Sequence, residues 1–243
     1  MNAIEISHIS KRFGAVAAVN DLNLSVCQGE LFSLLGLNGA GKTTTIKILS
    51  GLLTPDSGET FLEGISVQKD PADAKSILAV SPQETAIAPN LTVRENLRFI
   101  CGIHGLSRQR TEEKTASLSR QLGLNPVLDR RAGKLSGGYQ RRLSIAMALI
   151  SEPRVLFLDE PTLGLDVVAR RELWDVIRQL HGRITILLTT HYMEEAQALS
   201  DRVGILAAGQ LRALGTPQEL QDRTATASLE EAFLSLVKKE GAQ

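Results

Sequence analysis

Residues 31–43 read LFSLLGLNGAGKT, where an apolar run leads into the spacing G-x-x-x-x-G-K-T from Gly36 to Thr43. The run predicts a buried strand within residues 30–35, and residues 44–53 predict a helix. In this order of elements, glycines let backbone N–H groups surround phosphates, Lys42 reaches the β and γ phosphates, and the Thr43 hydroxyl ligates Mg²⁺. A flexible turn is the alternative, but the spacing arises by chance in only roughly 1% of such chains. The stretch therefore predicts an α/β fold with a phosphate-binding loop.

A second motif is the acidic pair Asp159 and Glu160, which follows the apolar residues 155–158. A buried strand that ends in two carboxylates places them at the carboxyl edge of a sheet, where open α/β sheets bind ligands. Asp159 suits the coordination shell of Mg²⁺, and Glu160 suits a base that activates water. Taken alone, such a pair after a strand is more often only the start of a loop. The phosphate-binding loop upstream favours the functional interpretation.

His191 follows another apolar run, residues 183–190, and is thus predicted at the carboxyl end of a strand. From that position it could donate a hydrogen bond to a γ phosphate. A single histidine is more often a polar side chain with an ordinary hydrogen-bond partner. The presence of the two motifs above in the same chain favours a catalytic role for His191.

Residues 135–140, LSGGYQ, predict a second phosphate-binding helix start. Ser136 is a good N-cap, the two glycines leave N–H groups uncovered, and a helical face carries Tyr139, Leu143, Met147 and Ile150. Such a start attracts anions through its free N–H groups and the helix dipole. A loop that merely opens a core helix is the alternative for this run in isolation.

Together these motifs resemble the ATP-binding-cassette ATPases, the nucleotide-binding subunits of ABC transporters, over residues 4–214. Residues 36–43 match the Walker A loop and residues 155–160 match Walker B. Residues 135–140 match the signature motif, usually LSGGQ, with Tyr139 in the fifth position. The departure concerns the contact of the fifth side chain, since Ser136 and both glycines are intact.

The resemblance extends to four smaller motifs. Gln83 matches the glutamine of the Q-loop, residues 163–166 match the D-loop, and His191 matches the switch histidine. Phe13 stands where the family keeps an aromatic residue that stacks on adenine, and it preserves the π face.

From this resemblance, roles follow residue by residue. The implied catalytic residues are Glu160, His191, Lys42 and Gln83, and the implied Mg²⁺ ligands are Thr43, Gln83 and Asp159. The implied ATP contacts are Phe13, Gly36, Leu37, Asn38, Gly39, Ala40, Gly41, Lys42, Thr43, Thr44 and Asp166, and, for the ATP of a partner subunit, Ser136, Gly137 and Gly138.

The predicted architecture is a single ABC ATPase domain over residues 1–243. Residues 1–83 and 151–215 form a RecA-like P-loop NTPase core, with a small antiparallel sheet from strands near residues 4–7 and 22–26. Residues 84–150 form a helical subdomain that carries the signature, including a helix at 92–100, opened by the capping-box spacing of Thr92 and Glu95, and a helix at 111–122. Residues 194–199 predict a short helix and residues 203–213 a hairpin. Residues 216–243 predict short C-terminal helices, the first of which opens with the capping-box spacing of Thr216 and Glu219.

The implied function is an ATP-binding and ATP-hydrolysing subunit with ATP and Mg²⁺ as cofactors. Two copies placed head to tail would share each ATP, and a transmembrane permease on a separate chain would be the partner at the cytoplasmic face of the membrane. Residues 189–196, TTHYMEEA, resemble the ABC-2 type export branch. The alternatives are a soluble ABC protein of translation or DNA repair and a catalytically idle cassette; intact Lys42, Glu160 and His191 argue against the latter.

Composition agrees with this assignment. Lys and Arg total 27 and Asp and Glu total 27, so there is no strong basic field and no nucleic-acid partner is expected. Neither Cys27 nor Cys101 lies in a metal-binding or redox spacing, which suits a reducing cytoplasm. The N-terminus does not resemble a signal peptide, and we find no apolar run near the roughly 18 residues that a bilayer span needs.

Overall fold

Two β-sheets organise the structure, a computed structural model that describes residues 1–238. The larger sheet contains, in spatial order, β10 (Gln210–Gly215), β9 (Arg202–Ala207), β3 (Leu31–Leu35), β8 (Thr185–Thr190), β7 (Val155–Asp159) and β6 (Leu78–Ser81), numbered along the chain. The strands from β9 to β6 are parallel, and β10 pairs antiparallel with β9 as the predicted hairpin.

The smaller sheet is antiparallel, as predicted. Its strands, in spatial order, are β2 (Val16–Cys27), β1 (Asn2–Phe13), β4 (Ser57–Leu62) and β5 (Ile65–Ser66). The first two strands are much longer than the segments predicted from alternation. Several register shifts along the β1–β2 pair explain this, because each irregularity breaks the alternation of polar and apolar residues.

Helices flank the larger sheet. They are α1 (Lys42–Leu49), α2 (Pro71–Ile77), α6 (Val167–Arg178), α7 (Met193–Leu199), α8 (Pro217–Thr224) and α9 (Leu229–Lys238). The helix predicted over residues 44–53 instead begins at Lys42 and ends at Leu49, since Ser50 caps it and Gly51 has φ 66°. Residues 239–243 of the predicted C-terminal segment lie outside the described residues.

Three helices lie between β6 and β7: α3 (Val93–Ile103), α4 (Arg108–Gln121) and α5 (Gly137–Ala148). The predicted capping box of α3 is present, with the Glu95 N–H donating to Thr92 Oγ1 at 3.2 Å and the Thr92 N–H donating to Glu95 Oε2 at 2.7 Å. α4 begins earlier than predicted because the Ser107 hydroxyl caps it. Within residues 1–238, the helices lack the combination of length and apolarity that crossing a bilayer requires.

The larger sheet is buried on both faces. Along β7, Leu156 and Leu158 belong to one core with residues of α5 and α6, whereas Val155 and Phe157 belong to another core with residues of α1 and β1. A continuous apolar run is the expected signature of such a strand. The predicted α/β fold class is therefore confirmed, and the strand carries Asp159 to the carboxyl edge of the sheet.

Candidate functional site

The loop between β3 and α1 borders a cavity of about 480 Å³ at the carboxyl edge of the larger sheet. Gly41 has φ 104°, and a Cβ atom there would lie 2.2 Å from the Ala18 carbonyl oxygen. Only glycine combines that left-handed conformation with so close an approach. The loop therefore delivers the chain into α1, whose first N–H groups have no partners within the helix.

The cavity brings together residues that are far apart in the sequence. Its lining consists of Val16, Ala18, Asn38, Gly39, Ala40, Gly41, Lys42, Thr43, Thr44, Gln83, Glu160, Leu163 and His191. Every residue predicted to be catalytic is in this set. The predicted ATP contacts from Asn38 to Thr44 are also in it, so the cavity has the donors that a triphosphate requires.

Glu160 is the electrostatic centre of the cavity. Its Oε1 lies 3.0 Å from Lys42 Nζ and its Oε2 lies 2.7 Å from His191 Nδ1, with the side chains of Lys42 and Glu160 6% and 7% exposed. Lys42 Nζ also donates to the carbonyl oxygens of Gly36 at 2.6 Å and Leu37 at 3.2 Å. A carboxylate only accepts hydrogen bonds, so Nδ1 is the nitrogen through which His191 donates.

The backbone at Glu160 is held in a strained conformation. Its φ of 49° is left-handed, which costs roughly 1–2 kcal/mol for a residue with a Cβ atom. The Glu160 N–H donates to both the carbonyl oxygen and the hydroxyl of Thr189, each at 3.1 Å. Neighbouring β8 thus stabilises the turn that directs the carboxylate towards Lys42 and His191.

Asp159 accepts two side-chain hydrogen bonds on one oxygen. Thr43 Oγ1 donates to Asp159 Oδ1 at 3.2 Å, and Thr189 Oγ1 donates to the same oxygen at 2.6 Å. Thr189 is not among the residues predicted from sequence; it is fully buried and lies opposite Asp159 in the pairing of β7 with β8. A polar residue at the carboxyl end of a predicted strand was the available signal.

The residues fit the expected Mg²⁺. The predicted ligands are a threonine hydroxyl, a carboxylate and an amide oxygen, and Mg²⁺ prefers such oxygen ligands. Thr43 and Asp159 are in direct contact, and Gln83 lines the same cavity as Thr43. One carboxylate with substrate phosphates and waters is a usual environment for this ion.

The predicted signature lies at the start of α5, with Ser136 at the N-cap position as expected. In the described chain, the Ser136 hydroxyl makes no capping hydrogen bond, and Ser136 and Gly137 are exposed and outside the cavity lining. Gly138 is buried, and a Cβ atom there would lie 3.1 Å from Ala169 Cβ of α6. The exposed Ser136 hydroxyl therefore does not cap α5, which is the role that the sequence predicts for it.

The fifth signature residue, Tyr139, has a packing role. It is half-buried against the helical core, and the Arg142 guanidinium lies 5.2 Å from its ring centroid. Gln140 donates to the carbonyl oxygens of Ala132 at 3.3 Å and Leu135 at 3.2 Å. The departure from the usual motif therefore lies on the buried side of the helix start.

Four of the ATP contacts predicted within the chain's own site are not among the lining residues of the described chain. Phe13 is 52% exposed and ends β1, opposite the lining residue Val16. Asp166 caps α6 by accepting a hydrogen bond from the Ala169 N–H at 2.9 Å. The other two, Gly36 and Leu37, supply the carbonyls that Lys42 contacts.

Comparison with known sequences identifies one family. The sequence profile described as ABC transporter matches residues 19–163, more than half of the chain. The Nod factor export ATP-binding protein I of Burkholderia orbicola (strain AU 1054) is 44% identical over 218 residues, which cover 89% of this chain and 72% of that protein.

Two further relatives are longer proteins. The probable multidrug ABC transporter ATP-binding protein YbhF of Escherichia coli (strain K12) is 39% identical over 96% of this chain and 41% of its own length. The phospholipid-transporting ATPase ABCA3 of Homo sapiens is 42% identical over 90% of this chain and 13% of its own length. The chain thus spans less than half of either protein.

A solved structure described as the ATP binding subunit of an ABC transporter superposes with a TM-score of 0.84 at 31% identity, covering 96% of this chain and 99% of that one. Sequence and fold therefore agree on the family, and with it the P-loop NTPase fold. The chain belongs to the ABC transporter family, of which it carries the ATPase domain.

Proposed function

We propose that this chain hydrolyses ATP at a site shared between two copies and thereby drives an exporter of the ABC-2 type. The contact of Glu160 with both Lys42 and His191 inside the cavity carries the proposal. This contact brings together a base (Glu160), a cation for the phosphates (Lys42) and a hydrogen-bond donor (His191) beside one phosphate-binding loop. The predicted core, 1–83 and 151–215, and the predicted helical subdomain, 84–150, are part of this proposal.

In the proposed reaction, phosphates lie on the N–H groups of residues 39–44 at the start of α1. Lys42 Nζ then donates to phosphate oxygens and no longer to the carbonyl oxygens of Gly36 and Leu37. Glu160 accepts the proton of the water that attacks the γ phosphorus while the bond to the oxygen of ADP breaks, and the Nδ1–H of His191 turns from Glu160 to donate to the γ phosphate. Glu160 is buried, so bulk solvent screens its interaction with the water only weakly.

Thr43, Asp159 and Gln83 would hold Mg²⁺, which neutralises the charge that develops on the phosphates. Thr189 fixes the orientation of Asp159 by its hydrogen bond to Oδ1. Two proposed ligands are therefore oriented before substrate binds, since Thr43 donates to the same carboxylate oxygen.

The site is proposed to be completed by a second copy, which supplies Ser136, Gly137 and Gly138. The exposure of Ser136 and Gly137, outside the chain's own cavity, supports this arrangement. Two further nucleotide contacts are proposed: Phe13 at the rim of the cavity, and Asp166 near the partner copy. The free N–H donors at the start of α5 suit the phosphates of the ATP that the partner copy binds.

A membrane-spanning permease is the proposed second partner, which places the chain at the cytoplasmic face of the membrane. Support for export comes from the names of relatives, which include a Nod factor export protein and a probable multidrug transporter protein. Co-purification of the full chain from membranes with a multi-span protein tests this step. Recovery with translation or DNA-repair factors in its place would contradict it.

The catalytic assignment is tested by Glu160→Gln. We expect turnover to fall about 10²–10⁴-fold, because the amide cannot accept the proton, while ATP drives a stable dimer that gel filtration detects. The matched control is Glu194→Gln, which changes an exposed carboxylate on α7. Full activity of Glu160→Gln would refute the assigned base.

The shared site is tested by Ser136→Ala. Hydrolysis should fall, whereas the affinity of the isolated monomer for a fluorescent ATP analogue should be unchanged. Loss of monomer binding would instead show that Ser136 acts within its own chain.

A further inference from the structure

The guanidinium of Arg141 joins the signature helix to the segment that carries Gln83. Arg141 Nη1 donates to the Pro82 carbonyl oxygen and Nη2 to the Gln83 carbonyl oxygen, both at 2.6 Å. Three residues further along α5, Ser144 Oγ lies 2.9 Å from Ser81 Oγ. One face of α5 therefore holds the end of β6 and the two residues after it.

The arrangement is rigid because of the geometry of arginine. Its planar guanidinium presents parallel donors, and two bonds to successive carbonyls define a direction as well as a distance. Arg141 is 5% exposed, and desolvation lowers the pKa of its guanidinium from the usual value, opposed by the negative charge of Asp159. The group remains a cation, since arginine does not lose its proton in proteins.

Arg141 also lies close to the predicted phosphate-binding helix start. It is five residues after Ser136, about 7.5 Å along the helix axis. The covalent route from Gln83 to Ser136 passes through the whole of residues 84–135. The guanidinium is thus a direct connection between a residue lining the chain's own cavity and the helix start outside it.

We propose that Arg141 is a positioning residue that couples the two nucleotide sites of a dimer, by tying Gln83 in one site to Ser136–Gly138 in the other. This inference rests on the proposed function, because it requires that ATP be shared between copies. When Gln83 moves towards its own Mg²⁺ and phosphate, α5 moves with it and presents its N–H groups to the partner's phosphate. Binding at one site thereby favours binding at the other.

Two substitutions separate this role from simple packing. Arg141→Lys keeps the charge, but its single ammonium group cannot reproduce the fork that holds both carbonyls. Arg141→Met removes the charge and keeps the length of the side chain. The matched control is Arg142→Lys on the same helix, where the side chain is 11% exposed and contacts Glu172 and Tyr139.

The measurements are ATP hydrolysis against ATP concentration, ATP-driven dimerisation in the Glu160→Gln background, and binding of a fluorescent ATP analogue to the monomer. For Arg141→Lys we expect the Hill coefficient to fall towards one and the ATP needed for dimerisation to rise about 5- to 150-fold. Monomer affinity should stay unchanged, and Arg142→Lys should behave as the unsubstituted chain. A purely structural role would lower the melting temperature without changing the Hill coefficient.

The outcomes distinguish this inference from the proposed function. If the Glu160→Gln chain does not dimerise with ATP, the proposed function fails. If it dimerises and Arg141→Lys leaves both the Hill coefficient and dimerisation unchanged, only the coupling role is overturned. A Hill coefficient of one in the unsubstituted chain also overturns it, as does an equal effect of Arg142→Lys. Should Arg141→Met not fold, Arg141→Lys alone decides.

Discussion

Replacing Thr189 by valine tests whether β8 holds the acidic pair in place. Valine preserves the shape of the side chain and removes the hydroxyl, which donates to Asp159 Oδ1 at 2.6 Å and accepts from the Glu160 N–H at 3.1 Å. A hydrogen bond to a charged group contributes roughly 1.5–3 kcal/mol. In the valine variant, the Glu160 N–H still donates to the Thr189 carbonyl oxygen, also at 3.1 Å. Losing its second acceptor, the hydroxyl, therefore adds little to the destabilisation.

The expected destabilisation is therefore about 1.5–3 kcal/mol. For a chain of this size, each kcal/mol lowers the melting temperature by about 2–4 °C, so the predicted shift is about 3–12 °C. Urea unfolding followed by fluorescence measures the free energy directly, because the single tryptophan, Trp174, is 9% exposed. The Mg²⁺ concentration for half-maximal hydrolysis should also rise, since Asp159 loses its orientation.

The control is Thr189→Ser, which keeps the hydroxyl and loses one methyl group. It should retain the Mg²⁺ requirement of the unsubstituted chain and lose about 1 kcal/mol of stability from the small cavity. Two results refute the reasoning: a Thr189→Val chain with unchanged stability, or a serine variant with a Mg²⁺ requirement raised as far as that of the valine variant.

Two other predictions concern buried features near the site. Desolvation raises the pKa of the Glu195 carboxyl, which accepts from Trp174 Nε1 at 3.1 Å. As pH rises through the range between the unfolded and folded pKa, the folded state holds the extra proton, so stability falls by up to about 1.4 kcal/mol per pH unit. Glu195→Gln should remove that slope from urea unfolding measured at rising pH, starting from about 4.5, the ordinary value of a glutamate carboxyl, and identical slopes would contradict it. Gly41→Ala adds a Cβ atom 2.2 Å from Ala18 O and should lose about 2–6 kcal/mol, whereas Gly39→Ala, with φ 80° and open space, should lose only about 1–3 kcal/mol in thermal unfolding. Equal losses would exclude the close approach as the cause.

Much of the site was predictable because its parts are encoded in short segments. The apolar run of β3, the glycine spacing from Gly36 to Thr43 and the acidic end of β7 each determine local backbone and chemistry. The capping boxes of α3 and α8 formed as predicted, since their donors and acceptors lie within four residues. The long β1 and β2 were underestimated because their register shifts depend on the partner strand.

The sequence by itself determined the fold class, the family and the identity of the candidate residues, because each motif carries its chemistry in consecutive positions. Only the tertiary structure placed Glu160 between Lys42 and His191, and only it gave Thr189 and Arg141 their partners. These contacts join segments separated by 30 to 118 residues, and local propensity carries no information about such distances. The pairing of β7 with β8 and the packing of α5 on β6 bring those segments together, so burial of the sheet decides which polar groups meet.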